Sequence, residues 1–391
     1  MRTLITLSML TLALQIAYTQ SCGCCGSPGC PCETDCRNTP VAAKPESTGK
    51  ASVAVKNTKS STAAIIKTIE SDISCIVSIK NKSFHVAPGV NPISAIQCSN
   101  PVEYQIKTNS GYVTVKTYRF QQNDAQNNFS LKVAERANEQ NWLRKERLEH
   151  MLQSLQLAFI TNDVLPDWEI CKFETPVLWY EIFIQQSNYV GSADQRGKTT
   201  VRCPECNGDI LKDGISWEHN PSGALQVDKT HPVVHVSWSD AKAFCNWLSG
   251  LDTKYTYRLP TFSEWNVLFQ QEYKNNFQVA PNSIPVCNLA DTSLFKTINY
   301  KKKPTLYIND HYTFTAPSGA FPAGQTGLFD LAGNVAEWLE DNPHGNSGGS
   351  SKIFIGGSYF SNPDEVSRLN FAEDQATLPG VGFRIIRLPR S

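Results

Sequence analysis

Short runs of alternating apolar and polar residues dominate the chain between residues 73 and 120. The runs Cys75–Ile79, Tyr104–Lys107 and Tyr112–Tyr118 are rich in β-branched and aromatic side chains, and turn signals containing glycine or proline separate them. This pattern is typical of β-strands joined by tight turns. We therefore expect a small antiparallel β domain over residues 64–120.

The next stretch, residues 129–160, contains neither glycine nor proline. Its apolar positions, among them Val133, Leu148 and Leu155, recur at partly helical spacing between charged residues. We predict one long amphipathic helix within residues 121–165. Such a helix could serve as a spacer, as an arm packed on the next domain, or as half of a dimer interface.

From residue 166 to residue 391 the composition changes to many aromatic residues with frequent glycine and proline, which indicates the main domain. Two helix starts are marked within it. In Ser237-Trp-Ser-Asp240 and in Thr261-Phe-Ser-Glu264, a hydroxyl residue precedes an acid by three positions, which is the capping-box pattern. The first helix would bury the apolar face formed by Ala241, Phe244, Cys245 and Leu248.

The 36 basic residues balance 36 acidic residues, so the formal net charge is zero. No long basic run concentrates positive charge locally. Because binding to nucleic acid or to an anionic membrane depends on such a basic surface, neither class of partner is expected.

The first residues of the chain predict export. Arg2 precedes an apolar run from Leu4 to Ala17, followed by small and polar residues, which is typical of a secretory signal peptide, here residues 1–19. The mature protein would then be secreted, periplasmic or displayed at the cell surface. Alternatively, Cys22 would carry a lipid anchor and make the protein a lipoprotein. No later apolar stretch reaches the ~18 residues that a transmembrane helix needs.

The 13 cysteines fall into two groups. Six of them lie in a head rich in glycine and proline, residues 20–37, where no apolar residues could form a core. A disulfide knot is therefore favoured there over a metal cluster. Residues 38–63 have the composition of a flexible linker. Farther along, Cys75 and Cys98 could form a disulfide, and the odd total implies a free thiol or an intermolecular bond.

The segment Cys203-Pro-Glu-Cys206 has the spacing of half a zinc knuckle. No second pair of this kind and no spaced pair of histidines completes the tetrahedral ligand set that zinc requires. A local disulfide, or two cysteines without a specific role, is therefore the favoured interpretation.

The stretch Gly327–Asp341, GLFDLAGNVAEWLED, has the features of a cation-binding loop. Two apolar runs flank a Gly-Asn turn signal, with carboxylates at Asp330 and Glu337. Calcium binds about six to eight oxygen atoms and accepts carboxylates and backbone carbonyls alike, so the carbonyls of Gly333 and Val335 could complete the set. The alternative is that two exposed acids merely flank a turn.

Six motifs in a fixed order are a more specific signal. They are ETPVLWYEIF at Glu174–Phe183, HPVVHVSWSDAKAFCNWLS at His231–Ser249, YRLPTFSEW at Tyr257–Trp265, GLFDLAGNVAEW at Gly327–Trp338, GGSY at Gly356–Tyr359 and GVGFRI at Gly380–Ile385. The series resembles the formylglycine-generating enzyme family, also called the sulfatase-modifying-factor domain, over about residues 168–391. The strand that usually opens this domain is not recognisable before the first motif.

This resemblance implies an α+β fold of the sulfatase-modifying-factor type, which is C-type-lectin-like and poor in regular secondary structure. It also implies two calcium sites. The first would comprise Asn288, Leu289, Asp310 and Tyr312, and the second would comprise Asp330, Gly333, Val335 and Glu337. Three further residues match family positions around the substrate cleft, namely Ser358, Arg368 and Arg384.

The same resemblance argues against the family's catalysis in this chain. The oxidases of the family bind copper through two cysteines, and the matching positions hold Ser361 and Val366. Because copper(I) selects thiolates, a hydroxyl group and an isopropyl group cannot replace them, and copper is not expected. The iron-dependent branch of the family uses a helical domain that bears histidines, whereas the predicted long helix holds only His150.

We therefore expect a calcium-stabilised, non-catalytic module, a pseudoenzyme, that binds a protein or glycan partner, by analogy as part of a surface or secretion assembly. The competing hypothesis is a formylglycine-generating oxidase, or another metal-dependent oxidoreductase, with displaced ligands. Its candidate ligands are His231, His235, His344, Glu340 and Asp341. A third hypothesis is a purely structural protein whose cysteine-rich head cross-links neighbouring molecules.

Overall fold

The computed structural model describes most of the chain beyond residue 63. The described residues are 64–99, 101–120, 129–162, 165–206, 208–273, 286–298, 306–342 and 350–390. They form two compact units, with the boundary between Glu146 and Arg147. The predicted signal peptide, cysteine-rich head and linker, together with Cys22, lie outside the described residues.

The amino-terminal unit contains two small β-sheets. Its strands are β1 (Ala64–Ser71), β2 (Cys75–Ile79), β3 (Lys82–Val86), β4 (Gly89–Cys98), β5 (Val102–Thr108), β6 (Val113–Tyr118) and β7 (Phe129–Val133). One sheet has the strand order β4-β1-β7 and the other the order β3-β2-β5-β6. Every second residue of β5 is buried, because successive side chains point to opposite faces and one face covers the core.

The antiparallel domain predicted for residues 64–120 is confirmed, because the strand pairs within that range are antiparallel. Strand β7 lies beyond this range and pairs with β1 in parallel; parallel neighbours need a long connection, which the strands between them supply. The predicted disulfide between Cys75 and Cys98 is wrong. Cys75 begins β2 in one sheet whereas Cys98 ends β4 in the other, and neither is bonded to a described cysteine.

The long helix is present as α1, Arg136–Ala158. It begins later than the stretch free of glycine and proline, because the first residues of that stretch pair with β1 as strand β7. The Asp72 carboxylate accepts hydrogen bonds from the N–H groups of Glu135 and Arg136 and so caps the first turn. None of the helices in the described part of the chain is long and apolar enough to cross a membrane.

The carboxyl-terminal unit combines short helices with two four-stranded sheets and a hairpin. Its further helices are α2 (Val177–Ser187), α3 (Ser192–Arg196), α4 (Trp238–Leu251), α5 (Phe262–Tyr273) and α6 (Thr292–Thr297), with a 3₁₀ turn at Pro363–Glu365. Its strands are β8 (Phe159–Asn162), β9 (Leu165–Cys171), β10 (Lys198–Cys203), β11 (Gly208–Asp213), β12 (Tyr255–Arg258), β13 (Ala336–Trp338), β14 (Ser351–Ile355), β15 (Asn370–Glu373), β16 (Val381–Gly382) and β17 (Ile386–Pro389). The sheets have the orders β12-β17-β9-β8 and β15-β14-β13-β16, and β10 pairs with β11. This mixture confirms the predicted α+β class.

A strand, β9, does precede the first motif, although it is not recognisable in the sequence. Strand β9 pairs with β17 through Ile170 and Ile386, which joins the two ends of the unit. Pro166 and Asp167 obscure β9 in the sequence, because both residue types are depleted in strands. The prediction of a local disulfide between Cys203 and Cys206 is confirmed.

Both predicted capping boxes are confirmed. The Ser237 hydroxyl accepts a hydrogen bond from the Asp240 N–H at 3.1 Å, and the Asp240 carboxylate accepts one from the Ser237 N–H at 2.8 Å. Thr261 and Glu264 form the same reciprocal pair at α5. The buried face of α4 includes all of the predicted positions, Ala241, Phe244, Cys245 and Leu248.

Replacing Ser237 by alanine is expected to lower the free energy of unfolding by about 1–2 kcal/mol, because the buried N–H of Asp240 loses its acceptor. Equilibrium urea unfolding measures this change. The matched control is Ser239→Ala in the same helical turn, where the hydroxyl accepts an exposed hydrogen bond from Gln375. We expect this control to stay within about 0.5 kcal/mol of the wild type. Equal losses from both substitutions would argue against the capping role.

Candidate metal sites and the neighbouring cleft

The loop between Gly327 and Asp341 packs tightly against the segment around Asn288. Gly333 has a φ of 89°, and a Cβ atom at this position would collide with the Asn288 carbonyl oxygen. Only glycine permits this approach. The next residue, Asn334, has a φ of 59°, a conformation that asparagine adopts more readily than most residues. The Gly-Asn turn therefore brings the two predicted metal-binding segments into contact.

Asn334 connects these segments to the start of the domain. Its Oδ1 accepts hydrogen bonds from the Ala316 N–H at 2.8 Å and from Asn288 Nδ2 at 3.1 Å. Its Nδ2 donates to the Glu174 carboxylate at 2.6 Å. Sequence reasoning did not include Asn334 or Glu174 among the site residues. The sequence offered one signal for each: Asn334 lies in the Gly-Asn turn, and Glu174 is the first residue of the first motif.

The first predicted metal site consists of buried polar atoms. Asn288 and Asp310 are 1% and 5% exposed, and Asn288 Oδ1 and Asp310 Oδ2 have no hydrogen-bond donor among the described residues. The Ser293 hydroxyl lies 2.8 Å from Asp310 Oδ1 and 2.7 Å from the Tyr312 carbonyl oxygen. Burial raises the pKa of Asp310 to about 7. The fourth predicted residue, Leu289, packs beside Gly333.

The second predicted site has one carboxylate oxygen without a donor and one carboxylate in an ion pair. Asp330 Oδ2 accepts a hydrogen bond from the Gly319 N–H at 2.7 Å, whereas Oδ1 is buried without a described donor. Glu337 forms a buried ion pair with Arg384, with 2.6 Å between Oε1 and Nη2. Burial raises the pKa of Asp330 to about 6. Burial also raises the pKa of Glu337, against the opposing effect of Arg384.

These atoms fit a hard cation such as calcium. The three buried oxygens without donors are of the amide and carboxylate types that calcium binds. Glu174, Asp330 and Glu337 are buried beside the cation Arg384, and burial followed by the charges of Asp330 and Glu337 raises the pKa of Glu174 well above its usual range. In the part of the chain that the structure describes, no group of three or more His, Cys, Asp or Glu side chains is placed so that it could hold a metal ion by itself. A cation here would therefore also need amide and backbone carbonyl oxygens.

A cleft of about 180 Å³ lies next to the first predicted site. Its walls are formed by Ala290, Phe295, Phe360, Ser361, Asn362, Glu365, Arg368 and Asn370. Ala290 directly follows the predicted ligand Leu289, and its N–H donates to the Ser361 carbonyl at 3.0 Å. Arg368 is exposed and forms an ion pair of 3.7 Å with Glu365.

Ser361 and Val366 are neighbours at Gly357. A Cβ atom at Gly357 would lie 3.2 Å from Ser361 Cβ and 3.2 Å from Val366 Cγ2. Ser361 Oγ accepts a hydrogen bond from the Ser358 N–H at 3.0 Å, and Val366 is fully buried. Two side chains separated in sequence are thus neighbours around Gly357, where Ser361 lines the cleft and Val366 lies buried behind its lining. Arg384, which the sequence analysis assigned to the cleft, is fully buried and is not among the lining residues.

The side chains proposed as displaced metal ligands have separate partners. His231 lies 3.1 Å from a threonine hydroxyl, and His235 lies 3.0 Å from a backbone carbonyl oxygen. Glu340 forms an ion pair with a lysine at 2.6 Å, and Asp341 accepts a hydrogen bond from a backbone N–H. His344 lies outside the described residues.

The short-stranded α+β unit and its motif-bearing loops define a sulfatase-modifying-factor domain, and the chain belongs to this family. The family model described as Sulfatase-modifying factor enzyme 1-like domain matches residues 113–389. The match begins well before residue 168, where the motif-based resemblance starts. It therefore takes in β6, β7 and α1.

Curated relatives agree with this membership. The formylglycine-generating enzyme of Mus musculus is 29% identical over 208 residues, 44% of this chain and 48% of the mouse protein. That of Thermomonospora curvata is 26% identical over 247 residues, 52% of this chain and 77% of the relative. The inactive C-alpha-formylglycine-generating enzyme 2 of Bos taurus is 33% identical over 157 residues, 38% of this chain and 46% of the relative. The chain thus spans about half the length of these mouse and bovine relatives.

Among solved structures, PvdO from Pseudomonas aeruginosa is similar with a TM-score of 0.41 and 18% sequence identity. The similarity covers 56% of this chain and 80% of PvdO.

Proposed function

We propose that this chain is an exported, calcium-stabilised member of its family that does not oxidise cysteine and instead binds a protein or glycan partner in its cleft. The observation that carries the proposal is the meeting of Ser361 and Val366 at Gly357. The resemblance matches these two positions to the family's copper-binding cysteines. Copper(I) binds thiolates, and neither a hydroxyl group nor an isopropyl group supplies one.

The described cysteines are poor substitutes for that pair. Cys287 is the nearest in sequence to the cleft residue Ala290, and burial raises its pKa to about 12, so that it stays a protonated thiol. Cys203 and Cys206 are joined to each other. The similarity to a bovine relative named as inactive is consistent with a member that lacks the catalytic step.

Calcium is proposed at both predicted sites. Support comes from the donor-free oxygens of Asn288, Asp310 and Asp330, which a bound cation would satisfy. The buried carboxylates around Arg384 outnumber its single positive charge, so a bound cation would stabilise their ionised forms. Export is proposed from residues 1–19 alone, with lipid anchoring at Cys22 as the alternative.

The size and walls of the cleft suggest what part of a partner it would hold. Its volume of about 180 Å³ is smaller than the roughly 300–1,000 Å³ typical of pockets for drug-sized ligands. One amino-acid side chain or one sugar ring is the better match. Phe360 offers an apolar surface, and Arg368 and Glu365 offer charges at the rim. A surface or secretion assembly that presents such a group is the proposed setting.

A formylglycine-generating oxidase with displaced ligands remains the second candidate function. It is favoured by the similarity to relatives named formylglycine-generating enzyme. The two functions differ in one respect that can be measured, which is copper chemistry at the cleft.

The double variant S361C/V366C is expected to bind about one more copper(I) ion per chain than the wild type, because it creates two neighbouring thiols. The full chains are titrated with copper(I) against a competing chelator, and the contribution of the 13 native cysteines cancels in the difference. The matched control S361A/V366A changes the same positions without adding thiols.

The control is expected to bind as much copper as the wild type. Loss of copper in S361A/V366A would mean that the native residues already hold the metal, and this would contradict the proposal. No gain in S361C/V366C would contradict the inferred pairing of the two positions.

A further inference from the structure

The disulfide between Cys203 and Cys206 lies where strands β10 and β11 meet. Both cysteines are half-buried, and Glu205 between them is exposed. The bond therefore lies in a partly exposed turn of the carboxyl-terminal unit. Nothing in the proposed function uses this pair.

The hairpin does not depend on the disulfide for its register. Strands β10 and β11 pair without interruption from Lys198 opposite Asp213 to Cys203 opposite Gly208. Arg202 adds an ion pair with Asp209 at 2.9 Å. A disulfide stabilises a fold mainly by closing a loop of the unfolded chain, and this effect is smallest for short loops such as this one. A purely structural explanation of the bond is therefore weak.

The hairpin also provides a donor for a cysteine that has been released from the disulfide. The Cys206 backbone N–H lies 3.0 Å from Cys203 Sγ and points toward it as a hydrogen-bond donor. Hydrogen-bond donors beside a sulfur stabilise its thiolate, which is the form that takes part in exchange. The donor lies in the turn that joins the paired strands, and Cys203, the last paired residue of β10, carries the acceptor sulfur. The two sulfurs are thus not equivalent.

We propose that Cys203-Pro-Glu-Cys206 is a thiol–disulfide exchange site that oxidises dithiols in proteins or peptides. A substrate thiolate attacks Cys203 Sγ, the bond to Cys206 breaks, and Cys206 Sγ leaves as a thiolate that takes up a proton. The second substrate thiol loses its proton and attacks the substrate sulfur that is bonded to Cys203. A disulfide forms within the substrate, and Cys203 is released as a thiolate. The substrate gains a disulfide and loses two electrons and two protons, and the cysteine pair gains them. Glutathione disulfide restores the pair by the reverse exchange and yields two reduced glutathione molecules.

The first test measures whether the bond opens in the folded protein. Trypsin cuts after Arg202 and Lys212, so both cysteines fall in one fragment, Cys203–Lys212. The native full chain is equilibrated in glutathione buffers of graded composition, quenched with acid, alkylated and digested. We expect two alkyl groups on this fragment in millimolar reduced glutathione, with the thermal unfolding curve of the chain retained. If the disulfide in this fragment persists until the protein unfolds, the bond is purely structural and the proposal is overturned.

The second test identifies which cysteine forms the mixed disulfide with a substrate, since this intermediate is the same in both directions of the exchange. Cys206→Ser leaves Cys203 with its N–H donor, whereas Cys203→Ser leaves Cys206 alone. Each full-chain variant is incubated with a peptide whose two cysteines form an activated disulfide. The free cysteine of the variant attacks this disulfide, and the peptide adduct on the tryptic fragment Cys203–Lys212 is quantified. We expect about tenfold faster adduct formation in Cys206→Ser, because the thiolate is the reactive form. Equal rates, in variants that melt like the wild type, would overturn the assignment of Cys203. These readouts are independent of formylglycine formation and of copper.

Discussion

Replacing Arg384 by methionine is expected to destabilise the carboxyl-terminal unit by about 3–5 kcal/mol. The substitution removes the cation that faces the buried Glu337 carboxylate at 2.6 Å. It also removes the hydrogen bond that Arg384 Nη2 donates to the Phe329 carbonyl oxygen at 2.9 Å in the native protein. Methionine fills much of the volume but donates no hydrogen bond, so the buried Glu337 carboxylate loses its counter-ion and keeps only the hydrogen bond from the Trp265 indole N–H among its described contacts. Such a charge is costly because little water reaches it.

Urea unfolding followed by tryptophan fluorescence measures this loss in calcium-free buffer. Every tryptophan except Trp142 lies in the carboxyl-terminal unit, so the signal reports mainly on that unit. The matched control is Arg368→Met, which removes an exposed ion pair with Glu365 and is expected to change stability by less than about 0.5 kcal/mol. Replacing Arg384 and Glu337 together by methionine should recover part of the loss. Similar losses at Arg368 and Arg384 would contradict the buried role of Arg384.

Calcium is expected to raise the free energy of unfolding by about 2.7 kcal/mol per site when its free concentration is about 100 times the dissociation constant. Thermal unfolding of chelator-treated protein, with and without added calcium, measures the effect. The variant D310N/D330N should lose most of it, because two charged ligands become neutral. The matched control D364N changes an exposed carboxylate and should respond to calcium like the wild type. A calcium response that survives in D310N/D330N would contradict the predicted sites.

The same measurement has a predicted pH dependence. Burial raises the pKa of Asp310 to about 7 and that of Asp330 to about 6, so both carboxyls are largely protonated at about pH 5. Because metal ligands must be deprotonated, the calcium effect should be smaller at about pH 5 than at about pH 8. Without calcium, the pH dependence of stability has the opposite sign. The raised pKa values of Asp310 and Asp330 mean that the native state binds more protons than the unfolded chain, so the free energy of unfolding falls as the pH rises through about 6 to 7. A calcium effect independent of pH would contradict this account.

Features encoded within a few residues were predictable from the sequence. The capping boxes at Ser237 and Thr261 act across one helical turn, and the structure has both. The disulfide between Cys203 and Cys206 also follows from local spacing. Strand β9 was not predictable in this way, because Pro166 and Asp167 obscure it locally and its pairing with β17 is a contact with the other end of the domain. The parallel pairing of β1 and β7 is likewise a long-range contact that no local pattern contains.

The candidate site shows the same division. The predicted ligands came from a resemblance of motifs, and the structure describes their surroundings. The bond between Asn334 and Glu174 joins distant motifs, so neither residue stood out as part of the site. Arg384 was expected at the cleft because it matches a family position there. Its burial becomes understandable only through its partner Glu337, which lies in a different motif.

The most direct test of the central claim is a turnover assay on the purified full chain. The chain is supplied with calcium, copper, a reductant and oxygen, together with a peptide that contains the motif Cys-x-Pro-x-Arg, and the peptide is analysed by mass spectrometry. The formylglycine-generating enzyme of Thermomonospora curvata is the positive control. We predict that the peptide cysteine remains unchanged with this chain while the control converts it. Formation of formylglycine by the chain itself would contradict the account and would establish the oxidase.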